Sequence, residues 1–240
     1  MPHWGKVEAI RQKDESAHNV VTKLDEEIEE YLTRELRAAY PEIPFVGEEG
    51  GGDRAAETFW LADPIDGTAH FIRGTAFCTT MLALIDRGQV VFGVIYDFVG
   101  DVMYHAELGK GAFKNGERMH VSGRPVESSY AAWESHLDKP ENLERYLKLR
   151  EISILFKTIS SGYEHILVAQ GQLEGRICFD PHGKDYDYAP GTLLISEAGG
   201  IVANIGKSEY DYRNTDYIAA NPALFEKLTE GPDALFPISK

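Results

Sequence analysis

Cysteine is nearly missing from this chain: Cys78 and Cys178 are the two among 240 residues. They stand far apart with no Cys-x-x-Cys pair, which excludes a disulfide framework and argues against a structural zinc site. Two reduced, buried thiols fit a cytoplasmic protein. Basic residues are also in short supply, 24 Lys and Arg against 39 Asp and Glu, for a net charge of −15. That balance argues against a nucleic-acid surface or an anionic membrane as partner. No apolar run is long enough to span a bilayer, and the start, Met1-Pro2-His3-Trp4-Gly5, does not read as a secretory signal. Internal repeats, low-complexity tracts and Pro/Gly/Ser linkers are not found. What remains is 43% hydrophobic and 26% charged, ordinary for a globular chain and enough for one large domain or two fused subdomains. The acid excess has a chemical corollary. A phosphate substrate is repelled unless bound cations reverse the field locally.

The chain is organised around Asp63-Pro64-Ile65-Asp66-Gly67-Thr68. The apolar run over 58–62 before it reads as a buried strand, with Asp63 at its end. Pro64 biases Asp63 to extended geometry, and Gly67 permits a sharp bend. Two carboxylates this close repel, and a hard cation relieves the repulsion. Oxygen ligands, the Ile65 carbonyl among them, suit Mg²⁺, Mn²⁺ or Ca²⁺ rather than zinc. The same six residues also fit a capped turn whose aspartates bond nearby N–H groups.

Residues 6–18 are polar and weakly patterned, compatible with a short helix followed by a loop. Residues 22–39 form the clearest helix: Thr22 and Asp25 have capping-box spacing, Ile28, Leu32, Leu36 and Ala39 recur on one face with Tyr31 beside them, and Pro41 ends it. Asp25 can serve there as a cap and nothing more. A short apolar run over 43–46 delivers Glu48 and Glu49 to a loop made pliable by Gly50-Gly51-Gly52. From 77 to 121 the chain reads as successive antiparallel strands with turns at Arg87-Gly88, Gly100-Asp101 and Asn115-Gly116. A composition shift over 122–128 divides the chain into an N-terminal α+β subdomain (1–125) and a C-terminal α/β subdomain (126–240). The second part alternates: strand 130–133, helix 141–148, strand 152–156, helix 160–170 capped by Ser160, strand 173–179, helix 187–198, strand 217–220 and a last helix opened by Asn221-Pro222. The amides at the start of helix 160–170 are candidates for anion binding.

Four blocks in register resemble the inositol monophosphatase family, within the magnesium-dependent, lithium-sensitive phosphatases. They are Val21-Thr22-x-x-Asp25, Gly47-Glu48-Glu49, Asp63-Pro64-Ile65-Asp66-Gly67-Thr68, and Asp187-x-Ala189-x-Gly191 followed by Glu197-Ala198-Gly199-Gly200. The resemblance implies a layered α/β sandwich of alternating helix and sheet layers. It implies hydrolysis of a small phosphate monoester, inositol monophosphate before histidinol phosphate, fructose 1,6-bisphosphate or a 3′-phosphoadenosine phosphate. A non-catalytic, metal-binding regulatory protein is the alternative from another class. The implied metal ligands are Glu48, Asp63, the Ile65 carbonyl, Asp66 and Asp187, holding two Mg²⁺, with a third, weaker ion at Glu48 and Mn²⁺ as a substitute. Thr68 and Asp25 orient and deprotonate the attacking water, with Glu48 also in the catalytic set. Asp66, Gly67, Thr68, Ser160 and Asp180 face the substrate, a small phosphorylated polyol. The family also implies a homodimer and inhibition by Li⁺. The chain departs from the family's pattern at His70, at Tyr186 in place of tryptophan, at Ile159-Ser160, and in an abbreviated N-terminal segment where Lys13 stands in for a lysine near the metals.

Overall fold

The computed structural model describes residues 3–12 and 20–238. It begins with strand β1 (Arg11–Gln12), paired antiparallel with β2 (Val20–Val21). The short helix expected within 6–18 does not form over residues 6–12. Val7 alone packs inward, against Ile65, Phe71 and Cys78, while Ile10 stays exposed, and the backbone is recruited by β2, with the Ile10 N–H donating to the Val21 carbonyl at 2.8 Å. Residues 13–18, Lys13 included, lie outside the described residues.

Helix α1 (Lys23–Ala39) starts where expected, on a capping box in which Thr22 and Asp25 satisfy each other's backbone N–H. Its apolar residues Leu24, Ile28, Leu32 and Leu36 are only half-buried, and Tyr31 is exposed. The buried positions on this helix are Asp25 and Glu29, one turn apart. The face it turns inward is therefore acidic, which hydrophobic periodicity alone does not reveal.

A seven-stranded sheet follows, built from β3 (Phe45–Gly47), β4 (Thr58–Asp66), β5 (Thr79–Asp86), β6 (Gln89–Asp97), β7 (Val102–Glu107), β8 (Gly111–Lys114) and β9 (Glu117–Arg118) in that spatial order. A short helix α2 (Thr68–Arg73), not foreseen in the sequence, leaves β4 directly. Strands β3 and β4 are parallel and the remaining pairs antiparallel, as a run of hairpins requires. Arg87, Asp101 and Asn115 occupy the left-handed region at the three expected turns.

A second sheet has the order β11-β10-β12-β14-β13. Its elements in chain order are β10 (Tyr130–Glu134), helix α3 (Pro140–Ile152), β11 (Ile154–Lys157), α4 (Ser161–Ala169), β12 (Gly175–Cys178), α5 (Asp185–Glu197), β13 (Ile201–Asn204), β14 (Tyr217–Ala220) and α6 (Pro222–Thr229). The strand expected at 152–156 starts two residues later because α3 runs on through Ile152, and β13 was not foreseen. Strand β10 is parallel to both β11 and β12.

Helices α4 and α5 fill the space between the two sheets. Ile166, Val168, Leu193 and Leu194 pack there with Met81 and Ile95 of the first sheet and Ala132 and Tyr217 of the second. On the far side of the second sheet, Trp133, Ile177 and Ile218 meet Leu149 of α3 and Leu224 and Leu228 of α6. On the first sheet, Phe59 and Leu61 of β4 pack with Ala189 of α5, while the intervening Trp60 packs at a tilt against Tyr40 at the end of α1, ring centroids 5.6 Å apart. Helix and sheet layers thus alternate, as expected. Full burial of each large aliphatic side chain contributes about 1.5–3 kcal/mol.

One irregularity in β4 positions the site. The sequence reading ends the strand at Asp63, but it runs on to Asp66 through a bulge: Asp63 opposes Met81 and Asp66 opposes Thr79, three residues on one strand against two on its partner. In a regular strand, residues three apart point to opposite faces. The extra residue cancels that alternation, so Asp63 and Asp66 both face α4 and α5.

Candidate active site

Asp63 and Asp66 meet a third carboxylate, Asp187, from the first turn of α5. One oxygen of each lies within 4.8 Å of the other two. Asp63 and Asp66 are 2% and 6% exposed. Burial pushes all three carboxyl groups above the usual range, and Glu48 then raises Asp63 and Asp187 further. The donor set is oxygen only, buried at Asp63 and Asp66 and half-buried at Asp187, and mutually repulsive, and these residues fit a hard divalent cation.

Glu48 reaches this cluster through strand register. Gly47 pairs with Ala62, and the Glu48 N–H donates to the Ala62 carbonyl at 3.1 Å, so Glu48 falls beside Asp63. Its carboxyl group shares hydrogen bonds with Asp63 and the Tyr186 hydroxyl. The loop is held from α1, where Glu29 accepts the Glu49 and Gly50 N–H groups at 2.8 and 2.6 Å. A Cβ on Gly47 would lie 2.2 Å from the Glu29 carboxyl, so only glycine admits this approach. Sequence reasoning missed Glu29. The available signal was its i,i+4 spacing from Asp25, which puts both acids on one face of α1.

Asp25 and Thr68 are joined. The Thr68 hydroxyl lies 2.9 Å from Asp25 Oδ1 and equally 2.9 Å from the Ile65 carbonyl oxygen, two acceptors for one proton. Asp25 Oδ2 accepts from the Thr22 N–H at 2.8 Å and the Thr22 hydroxyl at 2.6 Å. Burial raises the Asp25 carboxyl, while Thr22 and Thr68 pull it back. Capping and contact with Thr68 thus coexist on one carboxylate, one oxygen for each. Gly67 makes the turn between bulge and helix at φ 82°, and a Cβ there would lie 2.4 Å from the Phe77 carbonyl oxygen.

The start of α4 takes an anion, and that anion is Asp66. The Gly162 and Ser161 N–H groups donate to it at 2.8 and 3.3 Å, and the Ser160 hydroxyl at 2.5 Å. Ser160 is buried, caps α4, and spends its hydroxyl proton on Asp66. Asp180 lies apart from the cluster, in the turn after β12 at φ 51°. Its carboxylate accepts from Lys139 Nζ at 2.6 Å and Asn142 at 2.7 Å, and Lys139 holds it below the usual range. His70 bonds Thr75 Oγ1 at 3.0 Å and packs edge-on against Phe77, a structural role.

Beneath the site lies a buried ionic network that sequence reasoning also missed. Arg176 of β12 is fully buried and pairs with Glu134 at 2.7 Å and Glu164 at 3.3 Å. It also donates to Ser161 Oγ at 2.9 Å. Glu134 in turn accepts the His182 and Gly183 N–H groups, at 2.9 and 3.0 Å, and the Tyr188 hydroxyl at 3.0 Å. One guanidinium therefore ties the start of α4, which holds Asp66, to the loop that delivers Asp187.

The model of the inositol monophosphatase family matches residues 2–231. The fructose-1,6-bisphosphatase/inositol-1-monophosphatase of Thermotoga maritima is 30% identical over 236 residues, covering 96% of this chain and 88% of the relative. The Nus factor SuhB of Pseudomonas aeruginosa is 29% identical over 240 residues, covering 93% and 86%. Among solved structures, an IMPase of Thermotoga maritima superposes with a TM-score of 0.84 at 26% identity over 95% of this chain and 88% of that one. With the family model spanning nearly the whole chain, this protein belongs to the inositol monophosphatase family and is a phosphoric monoester hydrolase.

Proposed function

We propose that this chain hydrolyses small phosphorylated polyols with Mg²⁺, inositol monophosphate being the reference substrate, by direct attack of water. The observation that carries this reading is the convergence of Asp63, Asp66 and Asp187 beside the hydrogen-bonded Thr68–Asp25 pair. Glu48, Asp63, the Ile65 carbonyl, Asp66 and Asp187 are the residues that would hold two ions, with Glu48 shared by a third, weaker one and Mn²⁺ able to substitute. Bound there, the ions supply charge neutralisation for the phosphate and a lowered water pKa. With its hydroxyl donating to Asp25 Oδ1, the Thr68 oxygen keeps a lone pair to accept from a water in front of it, and Asp25 is the final acceptor for the proton that leaves, relayed through Thr68. The Gly67 and Thr68 amides take phosphate oxygens. Ser160 serves the substrate side by holding Asp66 in place, and Asp180 lies at its outer edge. We take the division at 125/126 as the boundary between a part that carries most ligands and a part that brings Asp187.

The substrate in this reading is a small molecule rather than nucleic acid or membrane, the enzyme a homodimer sensitive to Li⁺, and its compartment the reducing cytoplasm, where Cys78 and Cys178 stay thiols. Phosphate release from inositol 1-phosphate, histidinol phosphate, fructose 1,6-bisphosphate and a 3′-phosphoadenosine phosphate, each with Mg²⁺ and with EDTA, tests it. Release that needs Mg²⁺ is the expected result. No release from any of them would instead support a metal-binding regulator without turnover.

A further inference from the structure

Carboxylates that repel one another do not choose their own spacing, so the backbone that carries them must be held from elsewhere. Asp66 and Asp187 come from separate elements, and a different turn grips each. The Ser160 hydroxyl and the Ser161 and Gly162 N–H groups hold Asp66. Asp187 Oδ2 accepts the Lys184 N–H at 2.5 Å, so the residues just before α5 orient it. Whatever fixes these two turns relative to each other fixes the spacing of Asp66 and Asp187.

Both turns hang from one set of buried charges. Glu134, at the end of β10, holds the turn before α5: its Oε1 accepts the His182 and Gly183 N–H groups, and its Oε2 accepts the Tyr188 hydroxyl. Gly183 passes so close to Asp187 that a Cβ there would lie 3.0 Å from Oδ2. Glu164 of α4 holds the other turn. It accepts the Ile159 N–H at 2.7 Å and the Thr158 hydroxyl at 3.0 Å, from the two residues directly before Ser160. Arg176 joins the halves: one guanidinium nitrogen donates both to Glu134 Oε2 and to Ser161 Oγ, and another lies 3.3 Å from Glu164. A buried ion pair adds little stability by itself, because desolvation offsets its attraction, so what it holds in place matters more. Four donors converge on Glu134: two N–H groups, the Tyr188 hydroxyl and the guanidinium. They fill the lone-pair sites of one carboxylate. Glu134 therefore stands behind the metal cluster and is not one of its ligands.

We propose that Glu134 and Arg176 are positioning residues for the cation site: through the turn before α5 and the start of α4 they set the spacing of Asp187 and Asp66, and with it the affinity for Mg²⁺. This deepens the reading above, on which it rests. Neither side chain touches the cation or the substrate.

The test is calorimetric Mg²⁺ binding, without substrate, to wild type, Glu134→Gln, Arg176→Lys and Glu174→Gln. Glutamine at 134 keeps the volume but offers one oxygen, and its NH₂ group faces donors. Lysine at 176 keeps the charge, but a point ammonium does not span Glu134, Glu164 and Ser161 as the guanidinium fork does. Glu174 is the control. It is buried at the opposite end of β12, where it accepts from Arg124 and the Tyr130 N–H, each at 2.7 Å, and from Ser122 at 2.8 Å. Glu134→Gln and Arg176→Lys should each bind Mg²⁺ about tenfold more weakly, as for loss of a group that orients a ligand. Glu174→Gln should lose stability to urea yet keep wild-type affinity. At saturating Mg²⁺ the KM for inositol 1-phosphate should return to the wild-type value in both positioning variants, and a KM that stays raised overturns the proposal. Unchanged Mg²⁺ affinity in both, or equal weakening in Glu174→Gln, overturns it and leaves the metal reading standing. Wild type that binds no Mg²⁺ overturns the metal reading and the proposal together. If Glu134→Gln does not fold, Arg176→Lys against Glu174→Gln decides by the same criterion.

Discussion

Thr68 Oγ1 sits 2.9 Å from Asp25 Oδ1 although 43 residues separate them. The contact exists because both residues open a helix: Asp25 the first turn of α1, Thr68 the first position of α2 after the bulge. Thr68→Ala should lower kcat by about 10²-fold with little change in KM, as for loss of a positioned acid–base group. Thr68→Ser should keep most of the rate. Steady-state kinetics on inositol 1-phosphate with Mg²⁺ checks this, and a raised KM at constant kcat would make Thr68 a binding residue instead.

The carboxylate cluster predicts how the metal-free protein responds to pH. Burial and then Glu48 raise Asp63 and Asp187, so both hold protons more tightly folded than unfolded. Their stabilising contribution is complete below the ordinary carboxylate value of about 4 and is lost as pH rises through the raised folded values. In EDTA the thermal midpoint should therefore fall as pH rises above the ordinary carboxylate range, and Asp63→Asn should flatten that fall. Mg²⁺ should raise the wild-type midpoint more at the higher pH and leave Asp63→Asn nearly unaffected. A wild-type midpoint indifferent to Mg²⁺ at the higher pH would remove these carboxylates from the metal site.

Arg176 offers a second pH test, away from the metal. Burial pushes Glu164 up to about 7 even though Arg176 pulls it down. Because the folded value is raised, the contribution of Glu164 is present below its ordinary range and lost as pH rises through about 7. Arg176→Met strands two buried carboxyl groups and should cost about 3–5 kcal/mol. Urea unfolding should show that loss growing between about pH 6 and pH 8, and Glu164→Gln should be far milder. A pH-independent loss would mean that Arg176 acts by packing alone.

Li⁺ accepts oxygen ligands and is close to Mg²⁺ in size but carries one charge fewer. It can compete for the oxygens of Asp63, Asp66 and Asp187 without supplying the same neutralisation of phosphate. Inhibition should strengthen as substrate rises, because the affected complex forms after substrate binds. Initial rates across substrate and Li⁺ concentrations, with K⁺ as the ionic-strength control, decide it. Identical Li⁺ and K⁺ curves would count against this metal arrangement.

Much of the site was legible because its chemistry is local. Asp63, Pro64, Asp66, Gly67 and Thr68 occupy a single motif, and Thr22 with Asp25 caps a helix at fixed spacing. Glu29 and the Arg176 network were not legible. A glutamate on an amphipathic helix and an arginine in a short strand look like surface residues until the fold encloses them, and burying a charge becomes favourable only when its partners arrive from elsewhere. Asp180 and Ser160 illustrate the same limit. Their positions could be read, whereas their partners, Lys139 and Asp66, come from distant segments.

By itself, the sequence determined the capping box of α1, the hairpins of the first sheet, the alternation of the second half and the acidic motif. Each depends on residues a few positions apart, where backbone preference and hydrophobic period act directly. Tertiary structure decided which way the carboxylates point. The bulge in β4 turns Asp63 and Asp66 to one face, the β3–β4 register sets Glu48 beside them, and α5, packed against β6 where a Cβ on Gly93 would sit 2.9 Å from the Pro190 carbonyl oxygen, delivers Asp187. Mutual repulsion disfavours bringing these charges together, so no local preference of the chain encodes the meeting. The packing of two sheets around α4 and α5 enforces it.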